Sequence, residues 1–462
     1  MSISYSSTGN QISRSNIEET FSGKNITKFG VSGLLRRHFE KLGLWERLEG
    51  ALTYKVRGRR EFCISEMLIS LIYGLLLGLH RPSHMMELVL DKVFQGLAGL
   101  KAFPVQSTIS RFFTRASRGL SGQLHGVGLD LLISVRQGFR AFSRLTLDLD
   151  SHVSVVYGTQ QRAKRGYNPK KRGRGSYHPL LCFIGEARDY LAGLYRPGNR
   201  HTSYGALDFL KKMLALLPTN VRSKVQRLRA DSGFFSYSLM RWLIKKGIEY
   251  FIALPMQPWV QKEIQRLKFQ QVNRHISVAE FELVLQKPFE PKRSQGRARK
   301  KIVCRAVVIR TKLKAKEKPS KQPRLLDGME GRYDYQVIAT NSDLTPLIVW
   351  RTYNQRACCE NFIKEGIYSY GLDCIPSHKW SGNCLWFELV MLSYNLMNWF
   401  KEVSLPLRGK DGRQWKRMGL TVRHLLLLVP GKLANISGRW KLRLEQSWYY
   451  RDHFEWALGQ LA

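Results

Sequence analysis

The sequence predicts an α/β protein with helices at its N-terminus and a β-rich insertion in its second half. Apolar residues recur at helical spacing from Val31 to Leu48. From residue 144 to 157 apolar and polar residues alternate instead, as is typical of a strand. Residues 225–254 then show a strand, a helix and a second strand, the order of a crossover unit. Together these patterns predict a mixed core preceded by helices.

The net charge of the chain indicates a polyanionic partner. Its 75 Lys and Arg residues against 35 Asp and Glu residues give a formal charge of +40. Self-repulsion at such a charge destabilises a compact state. Nucleic acid relieves that repulsion and is the partner that we expect. An anionic membrane surface is the alternative, but the basic residues are spread along the chain rather than clustered beside an apolar segment.

Cysteine usage and apolar segments predict a cytoplasmic protein that does not associate with membranes. The seven Cys residues are odd in number and show no CxxC spacing, which argues against a disulfide framework and a zinc finger. Residues 1–16 are polar and do not resemble a secretory signal. The longest apolar run, residues 67–79, is too short to cross a bilayer.

One N-terminal helix has features of a DNA-recognition element. Residues 104–113 contain a short turn followed by a helix start, with Ser107, Thr108 and Arg111 among the first residues. A recognition helix places such N-terminal polar side chains in the major groove. An ordinary capped helix in an all-α region is the alternative interpretation.

The alternating strand carries two acidic residues on one face. Leu147 and Leu149 face one side, and Asp148 and Asp150 face the other. Carboxylates on an apolar strand are costly to bury unless they are paired or bind a metal ion. This strand therefore predicts one arm of a metal or ion-pair site.

A basic loop follows that strand. Residues 162–174 contain seven Lys and Arg residues, among them Lys170, Lys171, Arg172 and Arg174. Contact with a DNA backbone explains this charge better than the alternative, a solvated basic loop.

Two further acidic residues occupy positions that suit ligand binding. Asp231 ends a strand of the crossover unit, where ligands commonly bind, although capping the next helix is its alternative role. Interpreted as one helix, residues 353–360 place Tyr353, Arg356 and Glu360 on a single face. If Asp150, Asp231 and Glu360 converge, their oxygens suit Mg²⁺ or Mn²⁺. Two such ions support phosphodiester cleavage; no Ser/His/Asp or Walker-type pattern supports acyl transfer or NTP hydrolysis.

Six short motifs occur in a fixed order along residues 31–400. They are residues 147–151, 166–179, 196–202, 229–234, 353–360 and 371–373. Together these motifs resemble those of DDE transposases from bacterial insertion sequences, in the cut-and-paste group with a Tyr-x2-Arg-x3-Glu-x6-Lys signature.

The resemblance implies an RNase H-like core interrupted by a β-rich insertion. It implies a homodimer that binds the terminal inverted repeats of its element, cleaves the double-stranded DNA through a hairpin with two divalent ions, and joins the ends to target DNA. It assigns Asp150, Asp231 and Glu360 as catalytic metal ligands, with Asp148 as the second choice for the first ligand. Arg356 and Tyr353 are the implied phosphate contacts.

One position departs from the signature. Its Lys falls on Ile367, and Lys364, one turn after Glu360, lies on the same predicted face, so we add Lys364 to the DNA contacts. The departure favours the alternative function of a catalytically inactive, transposase-derived DNA-binding protein. The three carboxylates favour the enzyme, and a metal-dependent nuclease without strand transfer is a third interpretation.

The residue patterns divide the chain into five regions. We expect a helical N-terminal DNA-binding domain (1–140), a first core part (141–254), a β-rich insertion (255–345), a second core part (346–405) and a helical C-terminal region (406–462). A protein that acts on bacterial DNA is expected at the nucleoid.

Overall fold

Helices form the first part of the chain. The structure, a computed structural model, describes residues 19–53, 61–166, 168, 171–286, 300–313, 333–405 and 417–462. Strand β1 (Ile26–Thr27) precedes helices α1 (Ser32–Lys41), α2 (Leu44–Ala51), α3 (Ile64–Leu76), α4 (Met86–Leu90), α5 (Lys92–Ala98), α6 (Gln106–Arg115) and α7 (Arg118–Val135). The apolar run of the sequence forms α3, which is buried on nearly all sides, as its all-round apolar character predicts.

A mixed sheet follows these helices. The next elements along the chain are β2 (Leu145–Ser151), β3 (Ser154–Val155), β4 (Lys164–Arg165), β5 (Gly175–Tyr177), β6 (Leu180–Ile184), β7 (Asp189–Leu194), α8 (Ala206–Leu216), α9 (Thr219–Arg222), β8 (Val225–Ala230), α10 (Tyr237–Lys245) and β9 (Glu249–Ala253). Of these strands, β3, β4 and β5 form a separate small sheet. Strand β2 pairs antiparallel with β6 and parallel with β8. Residues 145–150 are all buried, so the alternation of the sequence here does not mark a solvated face.

Residues 255–345 contribute further strands to the same sheet. They contain α11 (Pro258–Arg266), β10 (Gln270–Gln271), β11 (Ile276–Gln286), β12 (Lys301–Lys312) and β13 (Tyr333–Thr340). The strand order is β10-β11-β12-β13-β9-β8-β2-β6-β7. Because β13 pairs with β9, these strands extend the sheet and do not form a separate layer.

The last part of the described chain combines helices with a hairpin. It contains α12 (Pro346–Asn354), α13 (Ala357–Tyr370), α14 (Trp380–Ser404), α15 (Gly419–Val422), β14 (Gly431–Ile436), β15 (Arg439–Leu444) and α16 (Arg451–Leu461). The prediction of a helical region over 406–462 is therefore wrong for residues 431–444. Ser437 and Gly438 adopt φ values of 52° and 77°, the left-handed conformation that a tight hairpin turn requires.

Helix α14 is the centre around which the other elements pack. It contacts α3, α6 and α7 from the N-terminal part of the chain, and also α13 and β7. The Asn395 amide also hydrogen-bonds both backbone groups of Tyr190, each at 2.8 Å, which fixes α14 to the edge strand β7. One hydrophobic core consequently joins the N-terminal helices, the sheet and the C-terminal elements. Among the described helices, α14 included, none has the length and apolar character needed to cross a membrane.

Gly382, in the first turn of α14, marks a close contact between helices. A Cβ atom there would overlap the carbonyl oxygen of Phe113 in α6, so we expect Gly382→Ala to lower the free energy of unfolding by about 1–3 kcal/mol. Gly126→Ala in α7 is the control, because no atom lies within 4 Å of its added methyl group. Urea denaturation measures both variants, and equal stability of the two would contradict the packing described here.

Candidate active site

Two neighbouring parallel strands bring Asp150 and Asp231 together. Asp150 lies near the end of β2, Asp231 directly follows β8, and the last paired residues of these strands are Leu149 and Ala230. Parallel strands end at the same edge of a sheet, so both carboxylates lie there. One oxygen of Asp231 also caps the following turn, accepting a hydrogen bond from the Gly233 N–H at 3.0 Å. The capping role considered for Asp231 therefore occurs, and its other oxygen lies 3.9 Å from Arg356 Nη2; ligand binding by Asp231 stays a prediction.

Tyr353, Arg356 and Glu360 do not lie on one continuous helix, so the single-helix interpretation is wrong. Tyr353 belongs to α12, Glu360 belongs to α13, and Arg356 lies at the junction. Backbone hydrogen bonds there run three residues back, from Arg356 N–H to the Tyr353 carbonyl at 2.8 Å and from Cys359 N–H to the Arg356 carbonyl at 2.7 Å. This tighter winding is typical of a 3₁₀ turn, and the Arg356 side chain at the junction is buried.

The Arg356 guanidinium joins all three predicted carboxylates. Its Nη2 lies 3.0 Å from Asp150 Oδ2 and 3.9 Å from Asp231 Oδ2. Its Nη1 lies 3.5 Å from Glu360 Oε1. Burial raises the pKa of Asp150 to about 6, an effect that the Arg356 charge opposes and the Asp231 and Glu360 charges reinforce. The sheet edge and the helix junction thus form one cluster of charges.

The three carboxylates have the chemistry of a divalent-metal site, with a guanidinium in the place of the cation. Hard ions such as Mg²⁺ take oxygen ligands of this kind. Among the described residues, no three His, Cys, Asp or Glu side chains are spaced to hold a metal ion. Arg356 lies between these carboxylates, with Nη2 toward the two Asp residues and Nη1 toward Glu360. The oxygen donors are of the type that a divalent ion prefers, and in this structure they are paired with the guanidinium.

Asp148 is committed to a different partner. Arg229 donates from Nε to Asp148 Oδ1 at 2.6 Å and from Nη2 to Oδ2 at 2.7 Å, and both side chains are buried. Burial raises the pKa of Asp148, against the effect of Arg229. The Arg229 Nη1 group also donates to the Thr352 carbonyl at 3.1 Å and to Gln355 Oε1 at 2.9 Å. The pair thereby connects β2 and β8 to the residues just before Arg356.

Comparison with known proteins assigns the family. The family model described as Transposase DDE domain group 1 matches residues 10–462. The chain belongs to this transposase family. Among solved structures, it is similar to the chain in the cryo-EM structure of the piggyBac transposase synaptic complex with hairpin DNA. The sequence identity is 12% and the TM-score is 0.40, over 85% of this chain and 78% of that chain. No curated protein matches the sequence.

The predicted resemblance to DDE transposases is thereby confirmed at the level of the family. Sequence reasoning missed the role of Arg229, which lies in the motif of Asp231 and bonds to Asp148, Thr352 and Gln355. A signal for it was present, since alternation places Arg229 on the same face of its strand as Asp231, and a basic residue in a buried strand needs an acidic partner. Asp148 stands opposite Arg229 in the register of β2 and β8.

The position of the signature Lys is apolar and packed. Ile367 is partly buried against the hydrophobic core. Lys364 is exposed on α13, one turn after Glu360, and forms no ion pair with any described residue. Lys364 is thus available to an external anion.

The basic loop belongs to a small sheet that begins directly after the Asp150 strand. Strands β3, β5 and β4 form this sheet. Lys171, Arg172 and Arg174 are exposed beside it, whereas Lys170 lies outside the described residues. The Arg174 guanidinium lies 5.3 Å from the centre of the exposed Tyr157 ring. These basic side chains are therefore accessible from solvent.

Helix α6 presents a polar face but lacks the geometry of a helix-turn-helix. Ser107 and Arg111 are exposed on this helix, and Arg111 donates to Thr108 Oγ1 at 3.2 Å. Phe113 on its other face packs against Trp386 of α14. The connection from α5 to α6 covers residues 99–105, which is longer than the roughly three- to four-residue turn of that motif. The exposed residues of α6 thus agree with a DNA-recognition helix, but the connection before it is longer than the turn of a helix-turn-helix.

Replacing only one residue of the Asp148–Arg229 pair leaves the other as a buried charge without a partner. We expect Arg229→Met to lower the free energy of unfolding by about 3–5 kcal/mol. Adding Asp148→Leu removes the unpaired carboxylate and should restore most of that loss. Urea denaturation of both single variants and the double variant measures the coupling. A double variant no more stable than Arg229→Met would show that the two residues act independently.

Proposed function

We propose that the protein is a DNA transposase of a bacterial insertion sequence that cuts the ends of its element and joins them to target DNA. The convergence of Asp150, Asp231 and Glu360 on Arg356, at 3.0–3.9 Å, carries this proposal. Membership of the DDE transposase family supports it. The core around β2 and β8 is assigned as RNase H-like, and the reaction as cut-and-paste through a hairpin. The acting form is a homodimer that holds two terminal inverted repeats.

Asp150, Asp231 and Glu360 are the residues that would hold two divalent ions, Mg²⁺ or Mn²⁺. When bound, such ions supply Lewis-acid stabilisation to the attacking and leaving oxygens of the phosphodiester. The protein contributes the positions of these carboxylates. Two are fixed by the sheet, and Glu360, whose side chain is 54% exposed, is free to adjust from α13.

Arg356 has two partners in this scheme. In the DNA-free protein it neutralises the three carboxylates. A phosphate next to the cut is an alternative partner, because a guanidinium binds phosphate with two parallel hydrogen bonds. Tyr353 orients that phosphate. Burial raises the pKa of Tyr353, which keeps its hydroxyl protonated and able to donate.

The remaining predicted contacts define the path of the DNA. Lys171, Arg172, Arg174 and Lys364 are exposed and suit phosphate contacts near the cut, and Lys170 is placed with them by sequence alone. Ser107, Thr108 and Arg111 of α6 form a second contact region for the terminal repeat. A transposase acting on these substrates works in the cytoplasm at the nucleoid.

A DNA-binding protein without catalysis is the second candidate. Ile367 favours this candidate, because an apolar side chain packed against the core stands where the signature has a Lys. Cleavage of the terminal repeat distinguishes the two functions.

Glu360 tests the catalytic assignment. We expect Glu360→Gln to reduce Mg²⁺-dependent cleavage of a duplex carrying the terminal inverted repeat by more than about 100-fold, since even residues that only orient metal ligands matter by about 10–100-fold. Glu282→Gln, a matched change at an exposed position of β11, should leave cleavage intact. Unchanged cleavage by Glu360→Gln would refute the assignment.

Arg356 tests the exchange between guanidinium and metal. We expect Arg356→Gln to bind Mn²⁺ at least about tenfold more tightly without DNA, because a competing positive charge 3.0–3.9 Å from the carboxylate oxygens is removed. The same variant should bind the terminal-repeat duplex more weakly. Calorimetric titration with Mn²⁺ gives the affinity, and Arg351→Gln, at an exposed position of α12, is the control. Equal Mn²⁺ affinity in all three proteins would mean that Arg356 does not compete with metal.

A further inference from the structure

The hairpin of β14 and β15 carries a strongly basic face. Its register pairs Lys432 with Arg443, Ala434 with Lys441 and Ile436 with Arg439. Residues paired across antiparallel strands point to the same side of the sheet. Four basic side chains therefore share one face of the hairpin, and all four are exposed: Lys432, Arg439, Lys441 and Arg443. We refer to this hairpin as the basic ribbon.

No described acidic side chain neutralises the basic ribbon. None of its four basic residues forms an ion pair within the described part of the chain. Glu445 follows β15 directly, but it accepts hydrogen bonds from the Ser447 N–H at 3.3 Å and the Ser447 hydroxyl at 2.9 Å. Lys432 and Arg443 stand opposite each other, an arrangement of like charges that destabilises a strand pair. An anionic partner explains why such a face is present.

The basic ribbon is held firmly at its base. Strand β14 pairs with β1, and the Leu433 N–H donates to the Asn25 carbonyl at 2.9 Å. The Gly30 N–H donates to the Val429 carbonyl at 2.9 Å, and a Cβ on Gly30 would lie 3.1 Å from the Gly431 Cα atom. These contacts fix the root against the N-terminal segment. The turn at the far end is solvated, and Trp440 beside it is 63% exposed.

We propose that the basic ribbon binds the phosphate backbone of duplex DNA, as a site additional to the basic loop of residues 162–174. The inference rests on the proposed function only in taking DNA as the partner. Alternate residues of a strand are about 6.8 Å apart, so Arg439, Lys441 and Arg443 extend over about four base steps of about 3.4 Å each. The contacts are to phosphates, which position a protein on DNA without reading its sequence. The basic ribbon thus contributes to DNA affinity without contributing to sequence recognition.

The test is DNA binding by a variant with three charges removed. The variant combines Arg439→Gln, Lys441→Gln and Arg443→Gln, and fluorescence anisotropy follows its binding to a terminal-repeat duplex and to a duplex of unrelated sequence between about 50 and 200 mM salt. We expect affinity for both duplexes to fall at least tenfold. The slope of log affinity against log salt should become shallower by about 2.7, since each lost phosphate contact removes about 0.9.

Two controls separate the basic ribbon from net charge and from folding. The first combines Lys212→Gln, Lys245→Gln and Lys246→Gln, which remove the same charge from exposed positions elsewhere. It should keep the wild-type slope. The second combines Arg439→Lys, Lys441→Arg and Arg443→Lys, keeps the charge of the basic ribbon, and should keep wild-type binding. A single Lys441→Gln change should lower the slope by about 0.9.

Several outcomes would overturn the inference. An unchanged slope in the triple variant would do so, as would an equal loss in the Lys212/Lys245/Lys246 control. Poly-glutamate binding that depends on the basic ribbon, with DNA affinity unchanged, would assign the face to an acidic protein instead. If the wild-type protein binds neither duplex, the proposed function fails as a whole. If the wild type binds and cleaves while the triple variant binds equally well, only the role of the basic ribbon is refuted.

Discussion

Compensation of buried negative charge at the end of β2 is the constraint on which the rest of the site depends. Asp148 and Asp150 lie in a strand that is covered on both faces, and burial raises the pKa of each. Two arginines supply the compensation, but with different geometry. Arg229 binds Asp148 through two short hydrogen bonds, whereas Arg356 spreads its charge over three carboxylates at longer distances. The first arrangement is difficult to break without destabilising the fold, and the second is suited to exchange.

That difference connects the fold to the chemistry. Arg229 reaches from the sheet to Gln355, the residue before Arg356. The buried pair therefore fixes the start of α13, from which Glu360 extends toward the two Asp residues. A metal ligand on a helix can be placed beside ligands on strands only if the helix is held in register with the sheet, and the Arg229 contacts provide such a link. A substitution at Asp148 should therefore alter the position of Glu360 through Arg229, even though Asp148 itself forms no described ion pair with Arg356.

Sequence alone predicted what depends on local pattern. The strand of Asp150 and the strand that ends at Asp231 follow from the residue pattern; β2 contains Asp150, and β8 ends directly before Asp231. The break at Arg356 could not be predicted in this way, because its backbone angles remain helical and only the hydrogen-bonding register changes. The pairing of β13 with β9 is non-local and leaves no periodic signal. The C-terminal hairpin had a signal in its Ser437-Gly438 turn, although the sequence pattern over 406–462 predicted helices.

The excess of basic residues divides into two populations with different roles. Some arginines are largely shielded from solvent and matched to carboxylates: Arg136, with a side chain 12% exposed, binds Asp189 at 2.6 Å and Glu402 at 2.8 Å, and the buried Arg229 binds Asp148. Others, such as Arg172 and Lys441, are exposed and form no ion pair within the described residues. With only 35 acidic residues for 75 basic ones, carboxylates cannot compensate every cation. The unmatched cations are left on the surface, where phosphates can replace their counterions. The positions of unpaired basic residues, more than the total charge, therefore indicate where DNA should lie.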